Sequence, residues 1–292
     1  MPRPRFLPAL LLGLSAACSG SDALGPASAR PDHAPALAAS SLPAKKYTLL
    51  LGNSLSFGFQ PNKDVFDPTS FTRGFGTLFV QRLNALRQHP KVTEINLACP
   101  GETTETFVAG GCYYTALFGL PLHTFYRGSQ LEAAQGFLRT HRGQVNPIIL
   151  SLAANELYRP YLLDCNGDEA CVSARIPGAI QAVTDNYEVI LSRLRALEPN
   201  ATLLILVEYR FPRFPRSFND GLAALYQRVR AAGRAYGATL VESNPIIRTD
   251  PCALLFICEA ERDIHPTDAG YRALSDALWN ASGFGRPPSD RP

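Results

Sequence analysis

The chain has 292 residues, a formal net charge of +3, 46% hydrophobic residues and 18% charged ones. That length leaves one sizeable core once the ends, which differ in composition, are set aside. The near-balance of charge excludes a nucleic-acid or acidic-membrane partner found by global electrostatics.

At the N-terminus, Arg3 and Arg5 precede an apolar run from Phe6 to Ala17 that is too short to span a bilayer. Residues 1–17 therefore read as an export signal peptide. The run ends Leu14-Ser15-Ala16-Ala17-Cys18, which resembles a bacterial lipoprotein box with Ser15 where leucine is usual. Two outcomes stay open, a lipidated Cys18 or an ordinary cleaved signal. Residues 18–44, rich in Ala, Pro, Ser and Gly without an apolar period, read as a flexible tether. Residues 283–292 read as a disordered tail, which leaves 45–282 as the folded domain.

Inside that domain short apolar runs at 47–52, 92–97, 147–152, 202–208 and 238–242 read as strands. Between and after them, 73–89, 127–141, 174–198, 217–236 and 266–281 show helical spacing. The alternation predicts an α/β fold, a three-layer α/β/α sandwich around a five-stranded parallel sheet; the strand order, which periodicity alone does not fix, is expected to be 2-1-3-4-5 as in flavodoxin-like proteins. Ligands of such sheets gather beyond the carboxyl ends of the strands, so the loops leaving those ends carry the candidate chemistry.

The first strand runs into Gly52-Asn53-Ser54, a hydroxyl just past a strand end; its alternative role is to cap the next helix. The second leads to Pro100-Gly101-Glu102, where Gly101 can present a backbone N–H, or simply make a turn. The third leads to Ala153-Ala154-Asn155-Glu156, offering a side-chain amide donor or a helix cap. Near the C-terminus stands Asp263-Ile264-His265-Pro266, in which Pro266 can open a helix and leave the histidine in a loop. Of five histidines this one has a carboxylate and a rigid neighbour; His33 falls in the tether, and His89, His123 and His141 read as surface or loop residues.

Together, in this order, the four stretches resemble the SGNH (GDSL) hydrolase family over about 47–279. The resemblance implies Ser54 as nucleophile, His265 as general base, and an oxyanion hole formed by the Ser54 and Gly101 N–H groups with the Asn155 amide. It implies an esterase or lipase that works through an acyl-enzyme and needs no cofactor or metal. Three departures stand out. Asn53 replaces the aspartate of the signature, Ala153 and Glu156 replace a glycine and an aspartate, and the family's acid, three residues before the histidine, is Arg262 here. Asp263 is the expected orienting acid, with Glu261 or a backbone carbonyl as alternatives.

Apart from Cys18, the cysteines form three local couples, Cys99/Cys112, Cys165/Cys171 and Cys252/Cys258. An even set of this kind suits disulfides in an oxidising compartment, in one of the many pairings that six cysteines allow. The segment 110–126, rich in Tyr, Phe and Leu, either lines an acyl pocket or lid or packs beneath its own loop. Residues 208–216 interleave arginines with aromatics and are expected over the site, against an anionic or sugar-bearing ester. The expected partner is a small-molecule, lipid or glycan ester, with no nucleic acid, a membrane only through Cys18, and a monomeric chain. A carbohydrate acetyl esterase is the alternative within hydrolase chemistry, and a non-catalytic binding protein on the same scaffold the alternative outside it.

Overall fold

Five short segments form the sheet of the computed structural model, which describes residues 43–86, 91–259 and 263–285. The strands β1 Tyr47–Gly52, β2 Thr93–Asn96, β3 Val145–Ser151, β4 Leu203–Val207 and β5 Thr239–Glu242 are all parallel, in the order β2-β1-β3-β4-β5. This is the expected order. Every residue of β3 and β4 is buried, whereas the edge strands β2 and β5 are only partly covered. A run such as Leu203-Leu-Ile-Leu-Val207 has no polar alternation because helices cover both of its faces.

The helices divide into two layers. Phe75–Ala85 packs against Asp268–Ser282 on one side, while Glu169–Leu197 packs against Gln130–Thr140 and Arg216–Ala235 on the other. The five expected helices are present with shifted ends. Glu169–Leu197 starts five residues earlier than its apolar period suggests, because the Asp168 side chain accepts from the Cys171 N–H at 2.6 Å and nucleates an extra turn ahead of Pro177. Shorter helices at Thr104–Ala109, Tyr113–Phe118 and Asn155–Leu163, absent from the sequence reading, fill the loops after β2 and β3.

The tail boundary also differs. Phe284 is only 2% exposed and packs edge-on against Phe79, so the folded domain continues through the first residues expected to be disordered. Burying one such ring contributes about 1.5–3 kcal/mol, enough to hold a short segment in place. The segment expected to be a signal peptide, Cys18, most of the expected tether, His33, His89, Glu261, Arg262 and the rest of the expected tail lie outside the described residues.

Four buried tyrosines tie the layers to loops at the carboxyl edge. Tyr187, Tyr209, Tyr226 and Tyr271 donate to the carbonyls of Leu152, Ile264, Tyr209 and Phe59 at 2.7–3.0 Å. Burial pushes all four phenols well above their usual range, so they remain hydroxyl donors.

The cysteines pair locally as Cys99–Cys112, Cys165–Cys171 and Cys252–Cys258, with Cα–Cα distances of 5.9, 5.6 and 5.2 Å. Cys99–Cys112 closes the longest loop and braces the helix Tyr113–Phe118 against the end of β2. Replacing Cys99 and Cys112 together by alanine is expected to lower the unfolding free energy by about 2–4 kcal/mol in urea denaturation. An unchanged midpoint would show that this bridge braces nothing.

Candidate active site

Three adjacent strand ends converge first. The Asn53 N–H donates to Ser151 O and the Cys99 N–H to Gly52 O, both at 3.0 Å, so the turns leaving β1, β2 and β3 are stitched together. Gly52 has φ +123°, and a Cβ there would lie 1.9 Å from the Ser151 carbonyl oxygen. Only glycine lets the chain leave β1 at this point. The Gln130 side chain clamps the same residue, its Oε1 accepting the Gly52 N–H at 2.6 Å and its Nε2 donating to Gly52 O at 3.0 Å.

Asn53 then caps the short helix Ser54–Phe57, its Oδ1 accepting the Leu55 N–H at 3.0 Å. The capping role open to Ser54 is thus filled by its neighbour, and the Ser54 hydroxyl is left to other partners. It lies 2.8 Å from His265 Nε2, while His265 Nδ1 lies 2.7 Å from Asp263 Oδ1. Ser54 and His265 are each 9% exposed, which leaves the pair reachable yet mostly dry.

The same Asp263 oxygen also accepts the His265 backbone N–H at 2.7 Å, so a carboxylate two residues upstream suffices to orient the ring. Burial pushes Asp263 up, but attraction to His265 and the two hydrogen bonds outweigh it and hold the carboxyl below the usual range. The histidine loop is fixed in turn by Phe256 N–H to His265 O at 3.0 Å, by Gln60 Nε2 to Pro266 O at 3.3 Å, and by Thr267, which caps Asp268–Ser282. The Phe59 ring packs on the imidazole, with centroids 4.7 Å apart.

On the opposite side Gly101 has φ +80° and a Cβ there would meet the Tyr113 ring at 2.8 Å. Arg159 stacks on that ring at 4.2 Å and reaches toward Gly101 O at 3.5 Å. Asn155 does not cap its helix; Ala154 precedes it without a side-chain cap, and Asn155 Nδ2 donates to Glu102 O at 2.9 Å. That bond ties the third block to the second and leaves the amide a further N–H. Among the described residues neither the Ser54 N–H nor the Gly101 N–H meets an acceptor.

The two substitutions in the third block have visible consequences. Ala153 takes φ +132°, a conformation suited to glycine, and costs about 1–3 kcal/mol there. Tyr187 and Glu208 hold the neighbouring peptides, by hydroxyl to Leu152 O and by the Ala154 N–H to Oε2 at 2.7 Å. The longer Glu156 reaches the first turn of Thr104–Ala109, accepting the Thr104 N–H at 2.5 Å, where a negative charge suits the helix end.

Glu208, Gln130 and Glu102 are the site residues that the sequence reading missed. Glu208 is 1% exposed and accepts from Asn53 Nδ2 at 2.5 Å, Ser151 Oγ at 3.1 Å and the Ala154 N–H. A charged residue closing an otherwise apolar strand was the available signal. Glu102 accepts from Gln130 Nε2 at 2.9 Å. Among the described residues, the cluster of metal-ligand types formed by Glu102 with Cys99 and Cys112 has both sulfurs in a disulfide, so it offers no thiolate.

A family profile described as GDSL-like Lipase/Acylhydrolase family matches residues 50–273. No curated protein matches the chain. Among solved structures the chain is similar to the extracellular lipase of Streptomyces rimosus (14% identity, 82% of this chain and 100% of that one, TM-score 0.55). It is likewise similar to phospholipase A1 of Streptomyces albidoflavus NA297 (15%, 82% and 100%, TM-score 0.56). A third is an acetylxylan esterase of Geobacillus stearothermophilus (15%, 84% and 97%, TM-score 0.53). At these identities the likeness concerns the fold, whereas the profile spans most of the chain, and the chain belongs to the GDSL-like lipase/acylhydrolase family.

Two outcomes follow from the buried carboxylates. Asn53→Asp, which restores the family's usual residue, sets a second carboxylate against Glu208 and is expected to destabilise by roughly 3–5 kcal/mol at neutral pH. Adding Glu208→Gln should recover most of that loss, and a double variant no better than the single one would disprove the coupling. Burial pushes Glu102 and Glu156 from 4.5 to about 7. Stability that they contribute in acid is therefore lost as pH rises across that window. Melting temperature should fall between pH 5 and 8 more steeply in the wild type than in Glu156→Gln; parallel curves would rule this out.

Proposed function

We propose that this GDSL-like lipase/acylhydrolase cleaves carboxylic esters with Ser54 as nucleophile, His265 as base and Asp263 as the orienting acid. The observation that carries the reading is the continuous chain Ser54 Oγ, His265 Nε2, His265 Nδ1, Asp263 Oδ1, with contacts of 2.8 and 2.7 Å. A pure binding protein has no chemical use for a hydroxyl, an imidazole and a carboxylate in that order.

In this mechanism Ser54 Oγ attacks the ester carbonyl carbon as its proton passes to His265 Nε2. Asp263 on Nδ1 fixes the tautomer and stabilises the imidazolium. The carbonyl oxygen becomes an oxyanion held by the Ser54 and Gly101 N–H groups and the Asn155 amide, each donor being worth about 3 kcal/mol in the barrier. The tetrahedral species collapses to an acyl-Ser54 ester, and His265 returns its proton to the departing alkoxide. Water, deprotonated by the same nitrogen, then attacks the acyl carbon, and the acid leaves as Ser54 regains its proton.

The acyl side is supported by the loop after β2. Tyr114, Leu120 and Leu122 pack beneath it, 7–9% exposed, whereas Leu117, Phe118 and Phe125 stand 59–73% exposed. The first three fit packing beneath the loop, and the exposed three are the ones we propose for contact with an acyl chain. A hollow of about 420 Å³ lies in this loop beside Cys112, lined by Leu120, Leu122, Phe125 and Tyr126. Its apolar walls favour an acyl chain longer than acetyl. Export is supported by the three disulfides, and we assign retention at the cell envelope to a lipid on Cys18.

A p-nitrophenyl series from acetate to palmitate, with the chain from residue 19 onward, tests the reading. Ser54→Ala should lower kcat by at least about 10³-fold while shifting Tm little, and the optimum should fall beyond acetate. Equal turnover by Ser54→Ala and wild type would overturn the nucleophile, and an optimum at acetate the apolar acyl site.

A further inference from the structure

The loop leaving β4 carries a feature that ester hydrolysis does not use. A hollow of about 500 Å³ is walled by Arg210, Arg213, Arg216 and Arg248, with Asn219 and Asp220 beside them. Four arginines against one aspartate among the lining residues leave three positive charges around this hollow, as many as the formal net charge of the whole chain. The charge is therefore local, which a balanced overall composition conceals.

The backbone that carries Arg210, Arg213 and Arg216 is held in place. Asn219 accepts the Phe211 N–H at 2.8 Å and donates to Phe211 O at 2.9 Å, closing the loop on itself. The rings of Phe211, Phe214 and Phe218 pack beneath it with centroids 5.2–5.8 Å apart. The Arg210 N–H is fixed by Asn244 Oδ1 at 3.1 Å. Arg213 sits at φ +68°, an unfavourable conformation for a residue with a side chain. Among the described residues Arg210, Arg213 and Arg248 have no carboxylate within ion-pair distance. Arg216 meets only Asp220, at 3.5 Å and with both side chains largely in water.

We propose that this hollow is a binding site for a phosphate group. A planar guanidinium presents paired N–H donors that match phosphate oxygens, and several of them converging suit a group with about two negative charges and three free oxygens near neutral pH. A carboxylate, with one charge and two oxygens, leaves more of the lining unanswered. The lining of the hollow includes neither Ser54 nor His265, so the loop expected over the active site walls a hollow of its own, and the proposal does not depend on the esterase reading. Arg213 reaches toward Ile257 O at 3.5 Å, and the Phe256 N–H next to it bonds His265 O.

Inorganic phosphate and pyrophosphate, titrated calorimetrically into the chain from residue 19 onward at constant ionic strength, test the free ligand. Flotation with phosphatidylcholine vesicles, with and without phosphatidic acid, tests the lipid headgroup. Binding in at least one arm is expected, and Arg210→Gln with Arg248→Gln should weaken it by at least about tenfold. Hydrolysis of a neutral p-nitrophenyl ester and the ligand-free Tm should stay as in the wild type. Binding to phosphatidic acid vesicles alone, lost in the variant, identifies the headgroup as the source and supports the site. No binding in either arm, equal affinity in variant and wild type, or capture of a single-stranded oligonucleotide in place of phosphate would overturn it.

Discussion

A single buried carboxylate organises the catalytic end of this molecule. Glu208 closes β4, yet its oxygens accept from the Asn53 side chain after β1 and from Ser151 and Ala154 at the end of β3. Each of those donors belongs to a turn that must sit in one place for Ser54 and Asn155 to face the same point. A charge taken out of water costs several kcal/mol unless it is met by donors, and here three are supplied. The cost of misplacing any of them is what holds the turn after β1 and the end of β3 in register with the end of β4. Replacement of the signature aspartate by Asn53 follows from this arrangement, since only an amide can cap Leu55 with one end and donate to Glu208 with the other.

Around that centre the remaining pieces are secured by different means. Gln130 grips both polar groups of Gly52, and Tyr187 holds the strained Ala153 turn through Leu152. On the histidine side, Tyr209 reaches Ile264 and Tyr271 reaches Phe59, whose ring covers the imidazole. Large buried rings thus set the distance between layers, and the hydroxyl at each tip sets the position of a loop. The Cys99–Cys112 bridge does comparable service for the segment that covers Gly101.

Much of this was readable before any coordinates. The strands were legible because sheets covered on both faces need continuous apolar runs, whereas their order, which no periodicity encodes, came from likeness to flavodoxin-like folds. Ser54, Gly101, Asn155, His265 and Asp263 were legible as candidates because catalytic groups of such sheets gather after the strands. Glu208 was hidden within an apolar run whose last residue looked like a boundary. Gln130 was hidden because its task, pairing with a backbone 78 residues away, leaves no local pattern. The short helices after β2 and β3 escaped since one or two turns give too few residues for a period to show. Phe284 was lost in a Gly- and Pro-rich context that reads as disorder although a single ring anchors its beginning.

Ser54 and His265 are separated by 211 positions, which bears on when activity first arises in the life of the chain. A ribosome delivers the hydroxyl early and the imidazole almost last, so the two cannot meet until nearly the whole chain has been made. Until then a growing or threaded polypeptide holds the Ser54 hydroxyl without the imidazole proposed as its base. If export precedes folding, the chain leaves its site of synthesis before the proposed nucleophile and base have met.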